Sequence, residues 1–227
     1  MAEASTSSAG GSVPRGRHAP PLEVRVEVQR KRLFEAAAAV FARVGYADAS
    51  AEAIAREAGM SKATFYEHFS NKEECLIALF DDAAAIIMRE MADNQRANRR
   101  ESESYHEWIE RGVRAFLGTL TQFPDASRTL LVEVVGAGPA ALARRDRVFQ
   151  LFAELLYDDN KAVAPHYDAP NFASLEDTYA IVGAIAALVD RQLRHGVPED
   201  PTDLEPVIER LFFGLLGQAA ELADAGE

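Results

Sequence analysis

Cysteine is nearly absent: Cys75 is the only one in 227 residues. A lone thiol excludes a disulfide framework and a metal site built from several cysteines, and it fits a reducing interior. Long apolar runs are missing too. No stretch approaches the roughly 20 unbroken apolar residues of a membrane span, and the opening MAEASTSSAGGSVPRGRHAPP lacks the apolar core of a signal peptide. A soluble, cytoplasmic chain with no membrane partner is expected. Period-two alternation between hairpin turns does not occur, which argues against a sheet. Catalytic signatures are lacking as well. There is no H-E-x-x-H, no G-x-S-x-G and no phosphate loop, and Gly136-Ala-Gly138 follows no strand of the kind a nucleotide fold requires. The five histidines are scattered. No enzyme, cofactor or metal is expected.

What is present is the apolar content of a packed protein. At 48% hydrophobic and 26% charged, the chain has room for one large domain or two small ones. Its net charge of -12 is uneven. Residues 25–72 hold eight basic and six acidic side chains, whereas residues 73–227 hold fourteen basic and twenty-eight acidic. Nucleic-acid contact by the less acidic part is compatible with that asymmetry. Residues 1–24, rich in Ala, Ser, Gly and Pro and including Arg15, Arg17 and His18, show no apolar periodicity and are expected to form a mobile arm.

From about Val26 the pattern is helical. Leu33, Ala37, Val40, Phe41 and Val44 recur at spacings of three and four, and Gly45 ends the stripe. Ser50 is placed to cap a short second helix in which Ile54, Ala55 and Ala58 face inward, with Gly59 as its stop. Ser61 caps a third, and Phe65 and Phe69 form its buried side. Lys62, Thr64, Tyr66 and His68 are left on the outward side. Ser70-Asn71-Lys72-Glu73 reads as a capping box opening a long fourth helix towards Ala97. Further helices are expected over 104–122, 125–135, 139–165, 175–195 and 203–224, so the fold class is all-α.

The stretch RKRLFEAAAAVFARVGYADASAEAIAREAGMSKATFYEHFSNKEECLIALFD closely resembles the DNA-binding region of the TetR family of transcriptional regulators. Ala36, Phe41, Gly45, Tyr46, Ile54, Ala55, Ala58, Gly59, Ser61, Thr64, Tyr66, His68, Phe69, Lys72 and Glu73 fall on that pattern in register. Cys75 stands where an apolar residue is common, which a small buried thiol satisfies. The resemblance implies a helix-turn-helix DNA-binding domain over 25–71 and a helical effector-binding and dimerisation domain over 72–227. It also implies that Ser50, Ser61, Lys62, Ala63, Thr64, Tyr66, His68 and Lys72 lie at or beside double-stranded DNA. By residue chemistry, Tyr66, His68 and Lys72 suit phosphates, and Lys62 and Thr64 suit base edges.

The last two helices resemble the four-helix subunit interface of that family, with Ile181, Ile185, Leu188 and Val189 on one stripe and Val207, Leu211, Leu215 and Leu222 on the other. A homodimer on a palindromic operator is expected. Phe80, Met88, Met91, Trp108, Phe116, Phe149 and Phe152, with Phe123 and Tyr157, supply the lining of an effector pocket, and His106, Glu133 and Asn171 are candidate polar contacts. The expected function is a ligand-released repressor. The alternatives are a transcriptional activator of the same fold and a helical protein-interaction module that binds no DNA.

Overall fold

The computed structural model describes residues 21–97 and 103–224, with side chains to 93 in the first segment and to 217 in the second. Residues 1–20 of the expected arm and the Leu222 side chain lie outside the described residues. The described residues form α1 (Leu22–Asp48), α2 (Ala51–Glu57), α3 (Lys62–His68), α4 (Lys72–Ala97), α5 (Tyr105–Gln122), α6 (Pro124–Leu131), α7 (Pro139–Val163), α8 (Leu175–His195) and α9 (Glu205–Asp224). Short 3-10 turns fall at Glu133–Gly136, Ala164–Tyr167 and Pro201–Leu204. There is no strand among the described residues, and none of their helices is long and apolar enough to cross a membrane.

Helix α1 begins at Leu22, ahead of Val26. Its first turns leave Leu22, Val24, Val26 and Val28 exposed, so burial, which starts further along, cannot mark where the helix starts. It breaks at Gly45, whose φ of 78° favours glycine. Helices α2 and α3 have seven residues each, too short to persist alone. They lean on α1 through Ile54, Ala55, Phe65 and Phe69, packed with Leu33, Val40 and Phe41 at 0–1% exposure. Full burial of one Phe side chain contributes on the order of 2–3 kcal/mol.

The start of α4 corrects the expected capping box by one residue. Asn71 is the cap: its Oδ1 accepts the Glu74 N–H at 2.8 Å, and the Glu74 carboxylate accepts the Ser70 N–H at 2.7 Å. The carboxylate closes on Ser70, four positions back, and not on the N–H of Asn71 itself, so the start is a side-chain cap with a bond to the residue before it and lacks the reciprocal pair of a capping box. Helix α5 shows the full box between Ser104 and Glu107. The helix expected over 125–135 stops at Leu131 and passes into the Glu133–Gly136 turn, and the one expected from 203 starts at Glu205 after the Pro201–Leu204 turn.

The C-terminal body stacks α4, α5, α7, α8 and α9 around one apolar core continuous with that of the first three helices. Helices α7 and α8 meet where the buried Thr178 hydroxyl donates to the Ala153 carbonyl at 2.9 Å. Arg144 of α7 pairs with Asp81 of α4 at 2.5 Å. Helix α6 packs on α1, so the body touches the N-terminal helices through α4, through α6 and through the Glu133–Gly136 turn that follows it.

Candidate nucleic-acid interface and ligand cavity

Two caps fix the short helices. Ser50 Oγ accepts the Ala53 N–H and Ser61 Oγ accepts the Thr64 N–H, each at 3.1 Å. Ser61 Oγ and Thr64 Oγ1 also share a hydrogen bond at 3.0 Å. Between the helices Gly59 takes a φ of 67°, and the Met60 N–H closes the turn on the Ala55 carbonyl at 2.8 Å. Phe65 and Phe69 point inward, Phe69 lying 5.8 Å from the Phe34 ring, and the Arg30 guanidinium sits 5.0 Å over Phe69.

With the aromatic pair committed inward, Ser50, Ser61, Lys62, Ala63 and Tyr66 are exposed and Thr64 is half-buried. Lys62 Nζ is 3.6 Å from Glu52, with both side chains largely exposed, so the pair is weak and its cation can exchange to a phosphate. Tyr66, 51% exposed, rests edge-on against Phe65 at 5.5 Å, which leaves its hydroxyl end outward.

His68 and Lys72 differ from the expectation of simple phosphate contacts. His68 is half-buried against α1, with Nε2 3.3 Å from Gln29 Oε1. Burial, and then the neighbouring Arg30, lower its pKa, so near neutral pH it offers a neutral N–H rather than a cation. Lys72 is more fully committed. Its ammonium donates to the carbonyls of Tyr46, Ala47 and Ala49 at 2.7, 2.9 and 3.0 Å and lies 4.5 Å from the Tyr46 ring centre. An ammonium has three N–H donors, so in this conformation none is left for a phosphate. Lys72 therefore holds the stretch from Tyr46 to Ala49, the tail of α1 beyond its break at Gly45, which serves as the connector to α2. Those carbonyls lie 23 to 26 residues away, and no local pattern marks them.

A cavity of about 130 Å³ lies among α4 to α9. Phe80, Met91, Trp108, Phe116, Phe149 and Phe152 line it as expected. Met88 does not; it packs against the core elsewhere. Phe123 is exposed, and Tyr157 lies outside the lining with the Lys161 ammonium 5.2 Å from its ring. None of the three polar candidates lines the cavity. His106 stacks on Phe213 at 4.6 Å, Glu133 accepts the Tyr46 N–H at 2.8 Å, and Asn171 is exposed.

Tyr105, Asp159 and Asn160 are polar lining residues that sequence reasoning missed. Asn160 is 1% exposed, donates to Tyr105 Oη at 2.5 Å and accepts the Phe172 N–H at 3.0 Å. A signal for it existed: it continues the spacing of Phe149, Ala153 and Leu156 along the inward side of α7.

The dimer stripe on α8 needs correction. Ile181 is 1% exposed inside this one chain, and Ile185 and Val189 line the cavity. Helix α8 is apolar around much of its circumference, and periodicity marks a buried face without naming what covers it. Leu188, Val207, Leu211 and Leu215 remain half-buried. Cys75 is fully buried, its thiol pushed up to about 12 by desolvation, so it is unreactive. No cluster of metal-ligating side chains occurs among the described residues.

Residues 33–79 match the family described as bacterial regulatory proteins, tetR family. Over 93 residues, 40% of this chain, the sequence is 32% identical to an uncharacterized HTH-type transcriptional regulator, YhgD, of Bacillus subtilis (strain 168). The chain spans about half that relative's length, 47%. Among solved structures, the fold is similar to that of the fatty acid degradation regulator FadR from Bacillus halodurans, with a TM-score of 0.68 and 21% identity over 82% of this chain and 95% of that one. It is also similar to a transcriptional regulator FadR from Bacillus subtilis in complex with stearoyl-CoA, with a TM-score of 0.66 and 17% identity over 80% and 96%. At these identities the two structures speak for the fold alone.

Proposed function

We propose, from the match of residues 33–79 to the tetR family of bacterial regulatory proteins, that the chain is a DNA-binding repressor released by a small, mostly apolar effector. It acts as a homodimer in the cytoplasm on a palindromic operator, and it has no catalytic role. One observation carries the reading: α3 buries Phe65 and Phe69 while Lys62, Ala63 and Tyr66 stay in the open.

One recognition helix reads few base pairs, so two copies about 34–36 Å apart are expected on a two-fold site. Helix α4 starts three residues after α3 and contributes Phe80, Ala84, Ile87 and Met91 to the cavity wall. An effector that moves α4 therefore moves α3. The stearoyl-CoA complex of the similar FadR structure supports an acyl chain as one candidate occupant of so apolar a cavity.

The test is a gel-shift titration against a duplex selected by the protein from a random pool. Alanine at Lys62 and Tyr66 together is expected to abolish the shift while circular dichroism and sedimentation stay as in the wild type. Stearoyl-CoA, but not CoA alone, is expected to weaken binding by about 5- to 150-fold, the range of ordinary site-to-site coupling. A double variant that still binds, or an acyl-CoA that binds the protein and leaves the shift unchanged, would count against the reading.

A further inference from the structure

The connector between α1 and α2 is gripped from two sides. At Gly45 the backbone (φ 78°, ψ 161°) turns the next peptide out of the helical ladder, and the Tyr46 N–H donates to Glu133 Oε2 at 2.8 Å. From the opposite side Lys72 holds the carbonyls of Tyr46, Ala47 and Ala49. Lys72 opens α4, and Glu133 follows α6; both helices border the cavity, α6 through Leu130 and Leu131. Arg128 of α6 ties a third element to this point, donating from Nη1 to the Leu193 carbonyl of α8 at 3.1 Å. Its Nε lies 3.9 Å from Glu133 Oε1 and is buried without an acceptor. A closure of about 1 Å would turn that approach into a charge-assisted hydrogen bond. A small displacement of α6 therefore has a polar group to act on.

We propose that Glu133 is a positioning residue for DNA binding: steered by Arg128, its carboxylate sets the α1–α2 connector, and so the pose of α2 and α3, according to the state of the cavity wall. The proposal rests on the reading of α3 as the DNA-contacting helix. It deepens that reading by adding a second route, through α6, beside the direct run of α4.

The experiment uses the full chain as wild type, Glu133→Ala, Glu133→Gln and Arg128→Met. Two quantities are measured: amide hydrogen exchange of Tyr46, and affinity for the wild-type-selected duplex. Glu133→Ala is expected to speed Tyr46 exchange and weaken DNA binding about tenfold, a coupling of ordinary size. Glu133→Gln keeps an acceptor oxygen and is expected to recover much of the protection; should the alanine variant fail to fold, it supplies the comparison. Arg128→Met is expected to speed Tyr46 exchange although Arg128 makes no hydrogen bond to Tyr46, a change that a local structural role for Glu133 would not produce. Wild-type affinity in Glu133→Ala, or unaltered Tyr46 exchange in Arg128→Met, overturns the proposal alone. A wild-type chain that selects no duplex sinks the DNA-binding reading and this proposal with it.

Discussion

His68 shows how the surroundings of one side chain decide what it can do at an interface. Its ring is half-buried between α3 and α1, where loss of water disfavours the imidazolium and Arg30 adds like-charge repulsion that Glu67 only partly offsets. The folded pKa is therefore below 6.5, and between that lower value and 6.5 the unfolded chain binds more protons than the folded one. This contribution to stability is complete above about 6.5 and is lost as pH falls through the folded value. Thermal unfolding across roughly pH 5 to 8 is expected to show an acid decline that His68→Gln flattens. An unchanged acid limb in the variant would mean that the ring is as well hydrated folded as unfolded.

Elements were legible where their signals are local. Ser50, Ser61 and Ser104 lie beside the helices they cap, and Phe65 and Phe69 are one turn apart, so the short helices and their outward side could be read from the chain. The cap of α4 lies one residue beyond Ser70 because Ser70 and Asn71 are both good caps and only the bond from the Glu74 N–H to Asn71 chooses between them. Contacts between distant segments were not legible. Glu133 meets Tyr46 across 87 residues, and Lys72 meets its carbonyls across more than 20. Periodicity likewise could not say whether Ile181 and Ile185 face a partner or this chain's own core and cavity. The joint between α4 and the connector is testable at this scale. Lys72→Met keeps the stem and removes the donors, leaving three carbonyls to find water. Hydrogen bonds to a charged group are worth about 1.5–3 kcal/mol, so a loss of about 2 kcal/mol is expected in urea denaturation. DNA affinity is expected to fall further than stability alone explains, because α2 and α3 lose one of their two holds.

Across the whole molecule, charge and assembly would set how the proposed regulator approaches DNA. The body beyond residue 72 carries twice as many acidic as basic side chains and repels phosphates, while the end bearing α2 and α3 is slightly basic. On the proposed reading, binding depends on few charge contacts per subunit, and a homodimer would double them. Ile181 and Ile185 are spent within the chain, so the proposed pairing surface on α8 and α9 would draw on Leu188, Val207, Leu211 and Leu215, half-buried here. Glutamate at both Leu211 and Leu215 is expected to give a folded monomer in sedimentation. The logarithm of the DNA association constant falls with the logarithm of salt in proportion to the phosphates neutralised, with a slope of about -0.9 per contact. A monomer touching one half-site is therefore expected to show roughly half the wild-type slope. Lys62→Ala in the dimer should lower the slope by about two contacts, one per subunit. If the glutamate variant is monomeric and its slope equals that of the wild type, the second subunit adds no phosphate contact, and the two-fold arrangement on DNA fails even though the helix-turn-helix still binds.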